Sequence, residues 1–410
     1  MNHDSLSAVL GTHFSNWLAY PGNAGRIDAL DVAAQQALLR FVSAEVNDTP
    51  TFAERDRYFN DLCAFDLRLN KIASELISSR LAVALPSFDA PAEQCFFSEP
   101  PAALEQDRVV ESLMRDGYCP SPISLTAAQM TDLKAGLGTQ RFKTKGRRPQ
   151  TLGGAQLLNF ELTGGSPSTE DGDTYWLDDM DGLAHDPLFV KLAFDPYIIA
   201  IATRYLGCPP VHVQTNAWFS FPGGTSKHNL SMNGQLFHQD KEFIKFFKVF
   251  IYLSDVGMEQ GPHSYVEGSH HDELHRKGVA LSDRVTDADI GRYYERSRIK
   301  TVTGSAGSIL FGDTSCVHKG EAVTHGMRIM LQLEFASSLY LSPVPPFSDM
   351  AASCGALPHF PDQFVRRMLA NYSSSQRQLH RTYELTPRPQ ASLAARLLTL
   401  AGRVKRQFID

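Results

Sequence analysis

The sequence predicts an α+β protein in which short strands form a sandwich or barrel between helical flanks. Apolar residues recur every three or four positions at 29–42 and again at 58–85, as on the buried face of a helix. From residue 211 the apolar period falls to two, with glycine or proline between the runs. The predicted strands are 211–221, 247–253, 308–311 and 327–335. Strands that follow helices in blocks favour α+β over a parallel α/β sheet.

Composition restricts the class of protein and of partner. The 410 residues are 43% hydrophobic and 20% charged, as in ordinary globular proteins, and are enough for about two to three domains. With 39 basic and 45 acidic residues, the net charge of −6 argues against nucleic acid bound over a broad basic face. Six cysteines form no CxxC pair and are predicted to be reduced thiols. No segment resembles a signal peptide or a membrane span, so we expect a cytoplasmic protein without an integral membrane segment.

The chain divides into three regions. Residues 1–105 are predicted to form a helical N-terminal extension that ends in a proline-rich linker. Residues 106–340 carry the strands and the candidate site, and residues 341–410 form a helical C-terminal extension with a basic last helix. The two extensions are candidate surfaces for a homo-oligomer.

The helices and loops of the middle region follow from their end signals. A helix over 109–115 is predicted to stop at Gly117, and another is predicted to begin at Thr126, with Ser124 or Thr126 as its cap. Residues 187–206 are predicted to form one helix that closes on Gly207. Two long loops, which are candidate lids over a pocket, are predicted at 142–173 and 272–298.

The first candidate for chemistry is the pair His238 and Asp240. In a strand, residues i and i+2 face the same side, so this imidazole and carboxylate can meet one metal ion. A second imidazole would complete the three-ligand face used by non-haem Fe(II) oxygenases. Chance alone can produce the spacing, and the chain has a second example from His270 to Asp272. For His270 we prefer a hydrogen bond within a loop to a metal role.

Two further candidates lie downstream of this pair. His318 follows a Gly312-Asp313 turn, and Arg328 begins a strand in which polar and apolar residues alternate. The polar face is either the solvated side of an antiparallel strand or the lining of an interior pocket. In a pocket, the guanidinium of Arg328 could bind a carboxylate through two hydrogen bonds.

Other polar residues are candidate pocket residues on the predicted strands. Lys248 and Tyr252 share one face, although a lysine whose ammonium reaches solvent at a strand end is an equal alternative for Lys248. Gln214 and Asn216 are predicted to line the pocket, because the opposite face of their strand is apolar. Trp218, on the same face as Gln214 and Asn216, is predicted to pack.

From residue 108 to about 340 the sequence resembles the phytanoyl-CoA dioxygenase family of Fe(II)/2-oxoglutarate-dependent oxygenases. The similar segments, in order, are 113–118 (LMRDGY), 192–207 (ending YLG), 237–240 (FHQD), 253–256 (LSDV), 261–263 (GPH), 266–270 (VEGSH) and 312–313 (GD), followed by His318 and Arg328. Glu267 stands where the family usually has proline, and Gln260 where it usually has asparagine. Neither departure touches the candidate metal ligands.

The resemblance implies a fold and a chemistry. The fold is a double-stranded β-helix, a jelly-roll or cupin-like barrel with helical extensions. Fe(II) would be bound by the catalytic residues His238, Asp240 and His318. Arg328 would bind the distal carboxylate of 2-oxoglutarate, with Lys248, Tyr252, Gln214 and Asn216 as further candidate cofactor-binding residues.

The implied reaction consumes O2 and 2-oxoglutarate, releases succinate and hydroxylates a C–H bond of a small-molecule substrate. Halogenating relatives replace the metal carboxylate by a small residue, and Asp240 therefore favours hydroxylation, or another oxidation without halide, over halogenation. No segment resembles a CoA phosphate cradle, so a small polar metabolite is preferred to an acyl-CoA. Two alternatives are a cupin-like Zn or Mn hydrolase or isomerase and a non-catalytic jelly-roll binding protein. Arg328 argues against the first alternative, and the intact ligand set argues against the second.

Overall fold

The computed structural model describes most of the chain between residues 95 and 337 and parts of both flanks. The described residues are 3–19, 23–47, 72–73, 75–76, 95–145, 149–167, 174–223, 226–240, 245–271, 277–279, 284–337, 347–348, 357, 360, 364–365 and 368–372. The predicted helix at 391–408 lies outside them, as does most of the one at 58–85. Among the described residues, no helix is both long and apolar enough to cross a bilayer.

Helices occupy the described part of the N-terminal region. They are α1 (His3–Leu10), α2 (Thr12–Leu18), α3 (Asn23–Asp28) and α4 (Val32–Asn47). Their apolar faces meet in one buried cluster, which includes Leu6, Phe14, Trp17, Leu38, Phe41 and Val42 together with Ile72 and Leu76. The apolar period at 29–42 therefore predicted a buried helix face correctly. The division into domains stays a prediction.

The middle region contains the remaining helices. They are α5 (Ala103–Asp116), α6 (Ala127–Gly138), α7 (Gly154–Thr163), α8 (Met180–His185), α9 (Pro187–Ala193), α10 (Pro196–Leu206) and α11 (Lys227–Met232). As predicted, α5 ends at Gly117, whose φ of 87° suits glycine, and Thr126 caps α6 through a hydrogen bond from the Gln129 amide.

The prediction of one helix over 187–206 is wrong. The segment forms two helices, α9 and α10, because Pro196 has no amide hydrogen to continue the first. Asp195 caps the second helix by accepting a hydrogen bond from the Tyr197 amide at 2.8 Å.

Eleven strands of the described chain form two antiparallel sheets. They are β1 (Tyr118–Ser124), β2 (Arg141–Thr144), β3 (Thr151–Gly153), β4 (Thr174–Leu177), β5 (Val211–Ser220), β6 (Phe246–Tyr252), β7 (His263–Val266), β8 (Ile299–Val302), β9 (Ser308–Gly312), β10 (His318–Gly320) and β11 (Arg328–Ala336). The large sheet has the order β1-β9-β6-β11-β5-β4-β2-β3, and the small sheet has the order β10-β7-β8. The four predicted strands are β5, β6, β9 and β11, so the α+β class with a large antiparallel sheet is confirmed. The jelly-roll topology stays a prediction.

The prediction of a loop over 142–173 is wrong. Its described part contains most of β2, all of β3 and the helix α7. These strands are only three or four residues long, so their alternation is too brief to read, and pairing with β4 stabilises β2. In the other predicted loop, 272–298, the described residues form short turns and the rest lies outside the described chain.

The two faces of the large sheet have different neighbours. Ile329, Leu331 and Leu333 of β11 belong to the main apolar cluster, which also contains the buried residues of α9 and α10. The opposite face meets the small sheet, where the rings of Phe250 and His263 lie 4.3 Å apart. The polar face of β11 is therefore the inner lining, and it is buried, not solvated.

Candidate active site

Main-chain hydrogen bonds bring the three predicted ligands together. His238 and His318 form an isolated antiparallel bridge, with each amide donating to the other carbonyl at 2.9 Å. The Asp240 amide donates to the Thr314 carbonyl at 2.8 Å. His238 and Asp240 are thereby held next to the strand that carries His318.

The side chains of these residues converge on one point. Nε2 of His238 lies 3.5 Å from Oδ1 of Asp240, and Nε2 of His318 lies 3.7 Å from Oδ2. One ligand atom from each of the three residues lies within 4.8 Å of the other two. Two imidazole nitrogens and one carboxylate oxygen at this spacing fit a divalent transition metal.

Hydrogen bonding fixes which imidazole nitrogen faces the metal position. Nδ1 of His238 lies 2.8 Å from the Leu236 carbonyl, and Nδ1 of His318 lies 2.9 Å from the Cys316 carbonyl. Each Nδ1–H donates to its carbonyl, which leaves the Nε2 lone pair for a metal. Burial lowers the pKa of His238 to about 3 and also lowers the pKa of His318, so both rings are neutral ligands at neutral pH.

Lys248 stabilises the carboxylate of the set. Its Nζ donates to Oδ2 of Asp240 at 2.9 Å and lies 3.9 Å from Oε1 of Glu334, a wholly buried residue. Burial alone would raise the pKa of Asp240, but the Lys248 ammonium and the imidazoles of His318 and His238 together outweigh burial and hold that pKa below its usual range. Lys248 is 6% exposed, so the alternative of an ammonium that reaches solvent at the strand end is wrong.

The guanidinium of Arg328 lies beside Gly320 on β10, the strand that carries His318. It is buried, its Nη1 donates to the Gly261 carbonyl, and its Nη2 lies 3.4 Å from Oγ of Ser220. A Cβ built on Gly320 would lie 3.4 Å from both Nη atoms. Gly320 is two residues beyond His318 on β10, so the guanidinium lies on the strand face to which the His318 side chain also points.

His263 is a buried residue of this site that the sequence reasoning did not assign. Its Nδ1 lies 3.5 Å from the hydroxyl of Tyr252, which donates to the Val302 carbonyl at 2.8 Å. Burial and then the positive charge of Arg328 lower the pKa of His263. Its position directly after Gly261-Pro262, within a matched family segment, was the available signal.

The two remaining candidates lie on the inner face of β5, as predicted, but bond within the sheet. Oε1 of Gln214 accepts from Nε2 of Gln332 at 2.6 Å, and Oδ1 of Asn216 accepts from the Ala217 amide at 2.8 Å. Cofactor binding by Gln214 and Asn216 stays a prediction. Trp218 packs in an inner cluster with Phe250, as expected. Nε2 of His270 lies 3.0 Å from the carbonyl oxygen of Met114 in the last turn of α5, so its partner lies at a helix end and not in a loop.

The comparison with family models decides the family. The model described as Phytanoyl-CoA dioxygenase (PhyH) matches residues 113–330, which is more than half of the chain. The chain belongs to the phytanoyl-CoA dioxygenase family. It is therefore an iron- and 2-oxoglutarate-dependent oxygenase, of a family that uses Fe(II), 2-oxoglutarate and O2. No curated protein matches the chain in a sequence search.

Solved structures give a weaker likeness. The carbocyclase SnoK from nogalamycin biosynthesis is 20% identical, covering 58% of this chain and 86% of its own, with a TM-score of 0.40. The epimerase SnoN, solved with Fe3+, alpha ketoglutarate and nogalamycin RO, is 17% identical over 57% of this chain and 84% of its own, with a TM-score of 0.37. HygX from Streptomyces hygroscopicus, solved with nickel and 2-oxoglutarate, is 15% identical, covering 58% of this chain and 87% of its own, with a TM-score of 0.37.

Proposed function

We propose that this oxygenase hydroxylates a C–H bond of a small metabolite at a site formed by His238, Asp240 and His318. The observation that carries the proposal is the convergence of two neutral imidazoles and one carboxylate within 4.8 Å. These three residues would hold Fe(II), which would in turn bind 2-oxoglutarate and O2.

The carboxylate of Asp240 supports hydroxylation, or another oxidation without halide, over halogenation. It fills the metal position that halogenating relatives leave open for a halide. Lys248 keeps this carboxylate ionised and oriented, because its ammonium donates a hydrogen bond to Oδ2.

Arg328 is the residue that would bind the distal carboxylate of 2-oxoglutarate. Its guanidinium lies beside Gly320, two residues beyond His318 on the same strand face, so a dicarboxylate bound there could reach the metal position with its other end. His263 and Tyr252 lie near Arg328 and would orient the co-substrate.

The inner face excludes water from the reaction. Its buried side chains include Trp218, Phe250, Tyr252 and Met330, which form one apolar cluster. The chemistry supplied by bound iron and 2-oxoglutarate is decarboxylation to succinate coupled to insertion of one oxygen atom into a C–H bond. The apolar side chains around the metal position would protect the reaction from solvent.

Family membership favours this function over the alternatives taken from the sequence. A cupin-like hydrolase or isomerase has no use for a buried guanidinium near the metal. A non-catalytic binding protein has no need of three converging ligands.

The test is an anaerobic titration of metal-free protein with Fe(II) and then 2-oxoglutarate, following the visible charge-transfer band of the chelate. Wild type should give the band, and Asp240→Ala should lose it. Arg328→Ala should still bind Fe(II) but require at least about tenfold more 2-oxoglutarate, since a charge-assisted pair is lost. Arg115→Ala, at an exposed arginine, is the matched control and should behave as wild type. Tight zinc or manganese binding with no band would contradict the proposal.

A further inference from the structure

We propose that Arg284 binds an oxyanion of the primary substrate, a carboxylate or a phosphate group, next to the metal ligands. This inference rests on the proposed function and adds a substrate class to it. It arises from a second arginine at the site that the ligand set and the 2-oxoglutarate position leave unused.

The backbone places Arg284 directly beside His238. Phe237 and Val285 form an isolated antiparallel bridge, with both main-chain hydrogen bonds at 2.9 Å. The next pair along this bridge is His238 opposite Arg284, a non-hydrogen-bonded pair whose side chains lie close together on the same face. His238 is bridged on its other side to His318, so Arg284, His238 and His318 form one row across three strands.

The charge of Arg284 reaches the ligands. After burial, the Asp240 carboxylate is the group that acts on the pKa of Arg284, and Arg284 in turn contributes to lowering the pKa of His238 and His318. Its Nη1 is sheltered from solvent and has no hydrogen-bond partner among the described residues. A buried donor left without a partner costs free energy, which a bound acceptor would recover.

Two acidic residues that follow Arg284 in the described chain are already paired elsewhere. Asp287 accepts from Nζ of Lys319 at 2.5 Å, and Asp289 pairs with the exposed Arg292 at 3.1 Å. Neither carboxylate is the partner of Arg284. With no acceptor for its Nη1 in the described part of the chain, we take the acceptor to be a bound ligand.

Arg284 and Arg328 approach the site from different strands. Arg328 lies by Gly320 and Gly261, beside His263, whereas Arg284 lies across from His238 on the far side of the bridge. One 2-oxoglutarate has one distal carboxylate and needs only Arg328. The guanidinium of Arg284 is then available for an oxyanion of the substrate, planar or tetrahedral, which it can bind through two hydrogen bonds.

The experiment uses protein loaded anaerobically with Fe(II) and 2-oxoglutarate, with the charge-transfer band as the readout of substrate binding. The probes are small metabolites in matched sets: carboxylic acids with their primary amides, and phosphate monoesters with the parent alcohols. Wild type, Arg284→Gln and the control Arg292→Gln, a neighbouring exposed arginine, are compared.

We expect the probes that perturb the band to be anions. Whether these are carboxylic acids or phosphate monoesters will identify which oxyanion the substrate carries. Arg284→Gln should weaken their binding at least about tenfold and leave the Kd of 2-oxoglutarate within twofold, whereas Arg292→Gln should change neither. Hits that bind equally well as amides or alcohols, or a panel without an anionic hit, would overturn the proposal. So would a large rise in the Kd of 2-oxoglutarate in Arg284→Gln, which would assign Arg284 to the co-substrate. Absence of the band in wild type would instead reject the proposed function.

Discussion

Replacement of Lys248 by methionine should destabilise the metal-free protein by about 3–5 kcal/mol, the typical cost of removing one partner from a buried ion pair. Lys248 lies between two carboxylates, with its Nζ 2.9 Å from Asp240 and 3.9 Å from Glu334. The three side chains are 8%, 18% and 0% exposed, so solvent cannot replace the lost ammonium. Methionine keeps the length of the side chain, so the loss reports mainly the charge.

The assay is urea denaturation of metal-free protein, followed by tryptophan fluorescence, because Trp176 and Trp218 pack together at 4.8 Å on the same sheet. The control is Lys300→Met, the same substitution at a 46%-exposed lysine that lies 3.8 Å from Glu267. It should change the free energy of unfolding by less than about 1 kcal/mol.

A double variant isolates the cause. Adding Glu334→Gln to Lys248→Met removes one of the two uncompensated charges and should recover part of the loss. A loss below about 1 kcal/mol in Lys248→Met, or a double variant less stable than the sum of the single changes, would refute the reasoning.

Three further predictions concern other parts of the molecule. Burial lowers the pKa of His212 to about 3, so its neutral form contributes stability that is complete above pH about 6.5 and is lost as the pH falls towards 3. His212→Gln should flatten the acid limb of a plot of urea midpoint against pH, and parallel curves would contradict this. The carboxylate of Asp195 accepts hydrogen bonds from the amides of Phe96, Phe97 and Tyr197. Asp195→Ala should therefore lower the free energy of unfolding in urea by about 3 kcal/mol or more, and Asp195→Asn should lower it clearly less. Equal losses in the two variants would contradict the capping role. Gly320→Val should crowd the guanidinium of Arg328 and raise the Kd of 2-oxoglutarate with Fe(II) binding retained in calorimetry, and an unchanged Kd would be the contrary result.

Sequence patterns located the strands that are long enough to show their period. The strands β5, β6 and β11 have seven to ten residues, and the inner placement of Arg328 followed from alternation along β11. The strands β2, β3, β8 and β10 have three or four residues, too few for alternation to be distinguished from chance, and they are stabilised by pairing with distant segments.

The candidate site divides in the same way. His238 and Asp240 share a face because of local spacing, and their pairing with His318 followed from ordered family motifs. Arg284 and His263 reach the site only through long-range contacts, one across an isolated bridge and one through the packing of the two sheets. Such contacts leave no periodic signal in a single sequence. The sequence Asp195-Pro196 is a signal for the start of a new helix, because a capping residue precedes proline. The apolar residues on both sides of it continue the helical period, and the prediction therefore ran through the break.

The most direct test of the proposed iron site is a crystal of the protein soaked anaerobically with Fe(II), with anomalous diffraction measured at the iron edge. We expect one strong peak, about 2.0–2.2 Å from Nε2 of His238, Nε2 of His318 and a carboxylate oxygen of Asp240, as for other first-row divalent ions. An iron peak at another place, or bound iron that leaves these three residues uncoordinated, would contradict it.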